Sequence, residues 1–285
     1  MPVAVAFPSW SAHPDVWLVI GTFAALYYIA IVRLGPVHAV PGRPVVTRFQ
    51  VTCFSLGLFA MWLASDWPIH DIGEHYNFSV HMTQHLIYTA SVAPLMLMGT
   101  PIWLMRWLLR DHRVFAVVRW LSRFLPAMII FNVVLVLTHW PLVVDAALHS
   151  GWIHFGVHTL LFTSSLIVWM PVVSPLPEIP RLTPLVRMLY LFTWSIVPTI
   201  PASFLTLGSK PLYKFYETVP HLYGLSTMED QQIAGLIMKI GAGLLLWMTI
   251  AVVFFRWASD EERVNVPRHG LDELDRELTE MGLRR

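Results

Sequence analysis

The run VHMTQHLIYTASVAPLMLMGTPIWLM, residues 80–105, decides what kind of protein this is. It opens on His81 and His85, four residues apart, and then carries no charged residue to its end. A helix needs about 20 mostly apolar residues to cross the roughly 30 Å hydrocarbon core of a bilayer. A histidine pair at the mouth of such a run projects from one helix face, with Cβ atoms roughly 5–6 Å apart. Two imidazoles so placed can share one metal ion, and imidazole suits copper, zinc, iron and nickel.

Six further apolar runs lie outward from this one, at about 16–32, 49–65, 124–138, 152–173, 188–207 and 232–255. The fourth run along the chain, 124–138, is short and is expected to borrow residues from both flanks. Hydrophobic residues make up 56% of the chain and charged residues 13%, against about 25% charged in an ordinary soluble domain. The reading is an all-α, polytopic membrane protein, a bundle of seven transmembrane helices over residues 1–257 with a polar tail over 258–285. The first ten residues hold no positive charge, so no cleaved signal peptide is expected and the first span stays as an anchor.

Orientation follows from lysine and arginine. Arg33, Arg43 and Arg48 follow span one; Arg106, Arg110, Arg113, Arg119 and Arg123 follow span three; Arg181 and Arg187 follow span five. Arg256, Arg263, Arg268, Arg276, Arg284 and Arg285 lie in the tail. Only Lys210 and Lys214 fall on the opposite side, and Lys239 lies within a span. The N-terminus is expected outside and the C-terminus in the cytoplasm, as in a multi-pass membrane protein. The arginines are accounted for by topology, so they imply no nucleic-acid partner; the expected surroundings are the lipid bilayer.

Prolines and small residues that punctuate the spans refine this picture. Pro94 and Pro101 in span three, and Pro198 and Pro201 in span six, remove backbone donors and are expected to kink their helices. Residues 106–123 mix arginine with tryptophan and leucine, as a segment lying on the inner membrane surface does. Leu271, Leu274, Leu278 and Met281 recur at helical spacing, so a short amphipathic helix is expected over 270–281. Cys53, the single cysteine, reads as apolar filling. Asn132 is expected to bond across helices, and Lys239 to snorkel or to pair with Glu229 or Asp230. Gly235, Gly241 and Gly243 are expected to admit close helix packing.

The chemistry concentrates in histidine. Of 13 histidines, all but His38, His112 and His269 fall on the predicted outer side. His154 and His158 repeat the four-residue spacing at the mouth of span five, His139 closes span four, and His149 precedes span five. Antiparallel neighbours place these positions at similar depth, so His81, His85, His139, His154 and His158 are expected to converge if the three spans adjoin. Met82 adjoins His81, with Met61 and Met228 on the same side, and thioethers favour monovalent copper. Asp66, Asp71, Glu74 and Asp145 are placed to orient imidazoles from behind. The candidate metal ligands are His81, His85, His154, His158, His139, Met82 and His149. His13 and His221 are read as ordinary interfacial histidines.

Several stretches resemble the CtaG-type family of cytochrome c oxidase (caa-type) assembly factors. They are His81-Met-Thr-Gln-His85 running into Ala93-Pro-Leu and Gly99-Thr-Pro101; Ala147 through His149, His154 and His158 to Trp169-Met-Pro171; and Asp230-Gln-Gln with Ala234-Gly-Leu-Ile-Met238. The resemblance covers most of the chain, about residues 49–257; Lys239 after Met238 departs from it. It implies a non-enzymatic assembly factor of a bacterial inner membrane that works with cytochrome c oxidase subunits and delivers copper. The residues by themselves leave other readings open. A haem carrier with bis-histidine ligation, a metal-free scaffold, and a di-iron hydroxylase or desaturase all draw on the same motifs, although the additional HxxHH motifs of the last are absent.

Overall fold

The computed structural model describes residues 7–281, and the side chains of all of them but 264–275. Among the described residues all regular structure is helical. The main helices are α1 (Pro14–His38), α2 (Arg48–Ser65), α3 (Ile69–His75), α4 (Phe78–Gly99), α5 (Ile102–Leu108), α6 (His112–Leu121), α7 (Phe124–Thr138), α8 (Pro141–His149), α9 (Gly151–Val173), α10 (Pro184–Leu207) and α11, which starts at Thr227 and continues through Ala242–Glu280.

Local chemistry sets many of the boundaries. Thr47 and Gln50 form a reciprocal capping box that starts α2, and Ser226 with Glu229 starts α11 in the same way. Proline shapes α4. Pro94 has no N–H to offer the preceding turn, and residues Tyr88–Val92 widen into a π turn. In that wider register the carbonyl of Thr89 would address residue 94. The indole Nε1 of Trp169 donates to it instead, at 2.7 Å. The deficit is thus made good from a neighbouring helix, as an apolar surrounding requires.

The apolar run 80–105 is not one crossing. Thr100 precedes Pro101, which drives it into an extended conformation (ψ 117°), and the chain turns by 101° into α5. Nor does α7 borrow from its flanks. It is 15 residues long, meets α6 at 81°, and is followed by a new helix starting at Pro141. Both bends lay the arginine-bearing segment 106–123 across its neighbours. In α10 the break comes at Pro198, between Pro184–Ile196 and Thr199–Leu207.

Among the described residues, four helices are long and apolar enough to cross a membrane: α1, α9, α10 and the 37 residues of α11 from Thr227 to Arg263. Counting α4 with α5 and α6 with α7 raises the number to six. The remaining run, α2, is an 18-residue helix that begins on Arg48 and Gln50 and stays outside that count. Exposed apolar side chains fit a lipid surrounding. Trp17, Leu18, Leu26 and Ile29 on α1, and Leu244, Trp247, Val252 and Phe255 on α11, all face outward. Water would penalise such contiguous surface.

A buried core of Leu97, Phe131, Leu135, Leu161, Val168, Trp169, Tyr190 and Trp194 joins α4, α7, α9 and α10. Close crossings hold the other helices to α4. A Cβ at Gly99 would stand 2.6 Å from the Phe54 nitrogen of α2, and a Cβ at Gly73 would stand 3.1 Å from the backbone of His81. Gly235 fits the glycine expectation, its Cβ position lying 2.9 Å from the Ala202 carbonyl, whereas Gly243 faces open space. Asn132 differs from expectation: its amide donates to Met128 of its own helix at 2.7 Å. Lys239 is exposed on a π turn of α11, because Asp230 and Glu229 are engaged elsewhere. The tail over 270–281 is no separate helix but the end of α11, and Leu271 and Leu274 lie among the side chains outside the described residues.

Candidate metal centre

The start of α4 is fixed from another helix. Asp230 of α11, fully buried, accepts from the Phe78 amide at 2.6 Å, the Ser79 amide at 3.2 Å and the Asn77 side chain at 3.2 Å. It caps α4 as a local Asp or Ser would cap its own helix. One turn further on, His81 and His85 leave the same face.

Five imidazoles meet there, as the spacing predicts. Ring centroids lie 4.4 Å apart for His81 and His85, 4.2 Å for His154 and His158, 4.9 Å for His85 and His158, and 5.3 Å for His85 and His139. The Nε2 atoms of His85 and His158 are 3.2 Å apart. His81, His85 and His158 can each offer one nitrogen, all within 4.8 Å of one another. They come from α4 and α9, with His139 at the end of α7 beside them.

Hydrogen bonds fix which nitrogens are free. His139 Nδ1 lies 2.7 Å from the Leu135 carbonyl, which can only accept. In the neutral ring Nδ1 therefore carries the proton and Nε2 keeps its lone pair. His154 Nδ1 lies 3.0 Å from Glu74 Oε1, so a carboxylate holds that ring from behind. His81 Nδ1, His85 Nδ1 and His154 Nε2 are buried with no hydrogen-bond partner among the described residues. A buried polar atom left so costs about 1–3 kcal/mol, and imidazole nitrogens are atoms that can ligate a metal.

The cluster extends further than the histidine pairs indicate. A second group, His70, Glu74 and His154, also holds its ligand atoms within 4.8 Å. His13 continues it. Its ring lies 5.2 Å from that of His70, and its Nδ1 is 3.1 Å from Asp66. Burial pushes the His70 imidazole below its ordinary range, against the opposing pull of Glu74. Burial opposes charge on Asp66, but hydrogen bonds from Trp17, the Trp67 amide and His13 outweigh it and hold the carboxyl below its usual range. The i,i+4 spacing of His70 and Glu74 was the available signal for this extension. It was masked by their place in a loop-like segment.

Two candidate ligands stand apart. His149 is exposed, hydrogen-bonds through Nδ1 to the Asp145 carbonyl at 2.7 Å and rests against Phe215. It leaves α8 away from the cluster because α8 ends there before the turn into α9. Met82 is buried among Phe78, Val144 and Tyr213, since one residue along a helix turns a side chain about 100° from His81. It does line a cavity of about 60 Å³ together with His85, His139, Trp194 and Met238. His221 sits 3.8 Å from Asp230 and supports the cap.

The family model described as cytochrome c oxidase caa3 assembly factor (Caa3_CtaG) matches residues 25–260. The chain belongs to that family. The match spans the histidine-bearing helices and Asp230. No curated protein and no solved structure matches the chain.

Proposed function

We propose that this assembly factor acts by binding copper through His81, His85 and His158, with His139 and His154 alongside, and passing it to a copper centre of the oxidase. The observation that carries the reading is the meeting of imidazoles from α4, α7 and α9 with three buried nitrogens unpartnered. Neutral nitrogen donors without cysteine hold copper without trapping it, which a donor requires. The role is non-catalytic, and its partners are the oxidase subunits. The fold sits in a bacterial cell membrane as seven spans, α2 supplying the one outside the hydropathy count. Its N-terminus and histidine cluster face outward, and the arginine-rich loops and the tail from about residue 258 face the cytoplasm.

The geometry favours an ion over a haem. His85 and His158 approach to 3.2 Å, which leaves no room for a porphyrin plane between them. The double variant His81→Ala/His85→Ala is expected to leave oxidase subunits in the membrane while their copper content and activity fall. Fully copper-loaded oxidase in that strain refutes the delivery role.

A further inference from the structure

Among the described residues, Glu74 is the only carboxylate whose oxygens approach two imidazoles of the cluster, and it does so at the rim. Its Oε1 lies 3.0 Å from His154 Nδ1 and its Oε2 lies 3.5 Å from His70 Nε2. His70 and Glu74 share one face of α3, four residues apart. That face is pressed onto α4 because Gly73, between them, lets the two backbones close to van der Waals distance at His81. Tyr216 also donates to the Gly73 carbonyl at 2.7 Å, which pins α3 from the other side. Three ligand atoms on two elements are therefore held in place by packing, and all lie within 4.8 Å of one another.

We infer that His70, Glu74 and His154 form a second cation site, distinct from the His81–His85–His158 group and selective for a divalent transition ion such as Zn²⁺. The selectivity follows from the donors. Two imidazoles and one carboxylate are borderline and hard ligands, which suit divalent ions, whereas monovalent copper prefers sulfur. One negative charge also offsets part of the ion's own charge, so a divalent ion costs less to desolvate here than among neutral rings. The rim site is wetter too: the side chains of His70 and Glu74 are 20% and 23% exposed.

The rest of the rim is built to suit such an ion. His154 stands between the two groups, with Nδ1 toward Glu74 and the buried Nε2 unpartnered. Its ring lies 5.7 Å from that of His81 and 4.2 Å from that of His158. An ion on His70 Nε2 places that ring's proton on Nδ1, which now receives the Gln84 amide at 3.1 Å. Exchanging the ends of the Gln84 amide to accept that proton would break the bond its Nε2 donates to the Ala64 carbonyl at 2.6 Å, so ion uptake competes with that bond. Beyond His70 lie His13, Asp66 and Asp71, a carboxylate-lined approach that concentrates cations.

This site shares His154 with the reading above but does not require that reading to hold. Purified full-length protein is dialysed against Zn²⁺ and the bound metal counted per chain. The variant His70→Ala/Glu74→Ala is expected to lose one equivalent relative to the unaltered protein, and His81→Ala/His85→Ala is expected to retain the rim equivalent. Glu74→Gln, which keeps the size of the side chain, is expected to weaken rim binding at least about tenfold, and it serves if the double variant fails to fold. Unchanged stoichiometry and affinity on altering His70 and Glu74 overturns the rim site, as does complete loss of Zn²⁺ in His81→Ala/His85→Ala. If altering Glu74 removes a Zn²⁺ equivalent while altering His81 and His85 does not, the rim site stands; the inner reading is tested separately by counting copper in His81→Ala/His85→Ala.

Discussion

Asp230→Ala tests whether the proposed metal centre depends on a cap supplied from across the bundle. The carboxylate accepts from two backbone amides, Phe78 and Ser79, and from the Asn77 and Ser79 side chains. All of these groups are buried. Alanine strands the two amides, at about 1–3 kcal/mol each; the side chains can turn to other partners. Relief from burying a carboxylate offsets part of this. The net loss is expected at about 2–4 kcal/mol, with Asp230→Asn losing roughly half because one acceptor oxygen remains. The first turn of α4 frays, and His81 lies in its second turn. Metal affinity should therefore fall together with stability. Thermal unfolding in detergent, followed by circular dichroism, reads the first quantity and metal titration the second. A variant within about 0.5 kcal/mol of the parent, with unchanged metal affinity, refutes the argument that Asp230 positions the site.

Trp169→Phe removes the donor to the Thr89 carbonyl while keeping most of the ring's packing; a loss of about 1–3 kcal/mol is expected in the same unfolding assay, and none if the π turn satisfies itself. Asp66→Asn tests the rim electrostatics. Its folded carboxyl is held below the unfolded value of about 3.9, so the native residue stabilises the fold above that pH. This advantage is lost as pH falls through the folded value. The melting temperatures of parent and variant should thus differ at pH 6 and converge below about pH 4; a constant gap contradicts the assignment. His149→Ala is expected to leave metal stoichiometry unchanged, since the ring faces away from the cluster; loss of an equivalent would show that α8 moves.

Helix type and membrane character were legible from single runs of residues, because crossing hydrocarbon demands length and apolarity that no other context requires. The convergence of His81, His85, His139, His154 and His158 was legible too, since i,i+4 spacing and antiparallel order bring them to one level. Where a helix ends was less visible. The bend after Gly99 depends on Thr100 being driven extended by Pro101, and the short α7 on the turns at both its ends.

Contact between distant residues was decided only by the tertiary structure. Asp230 reads as a helix-start acid of α11, yet its carboxylate caps α4, 152 positions away from Phe78. Glu74 reads as a loop acid, yet Gly73 lets its helix close on His81 and sets the carboxylate between two imidazoles. Sequence specifies the periodicity that turns side chains to one face. Which neighbour that face meets is set by backbone approach distances summed over the whole bundle, and single glycines control those distances.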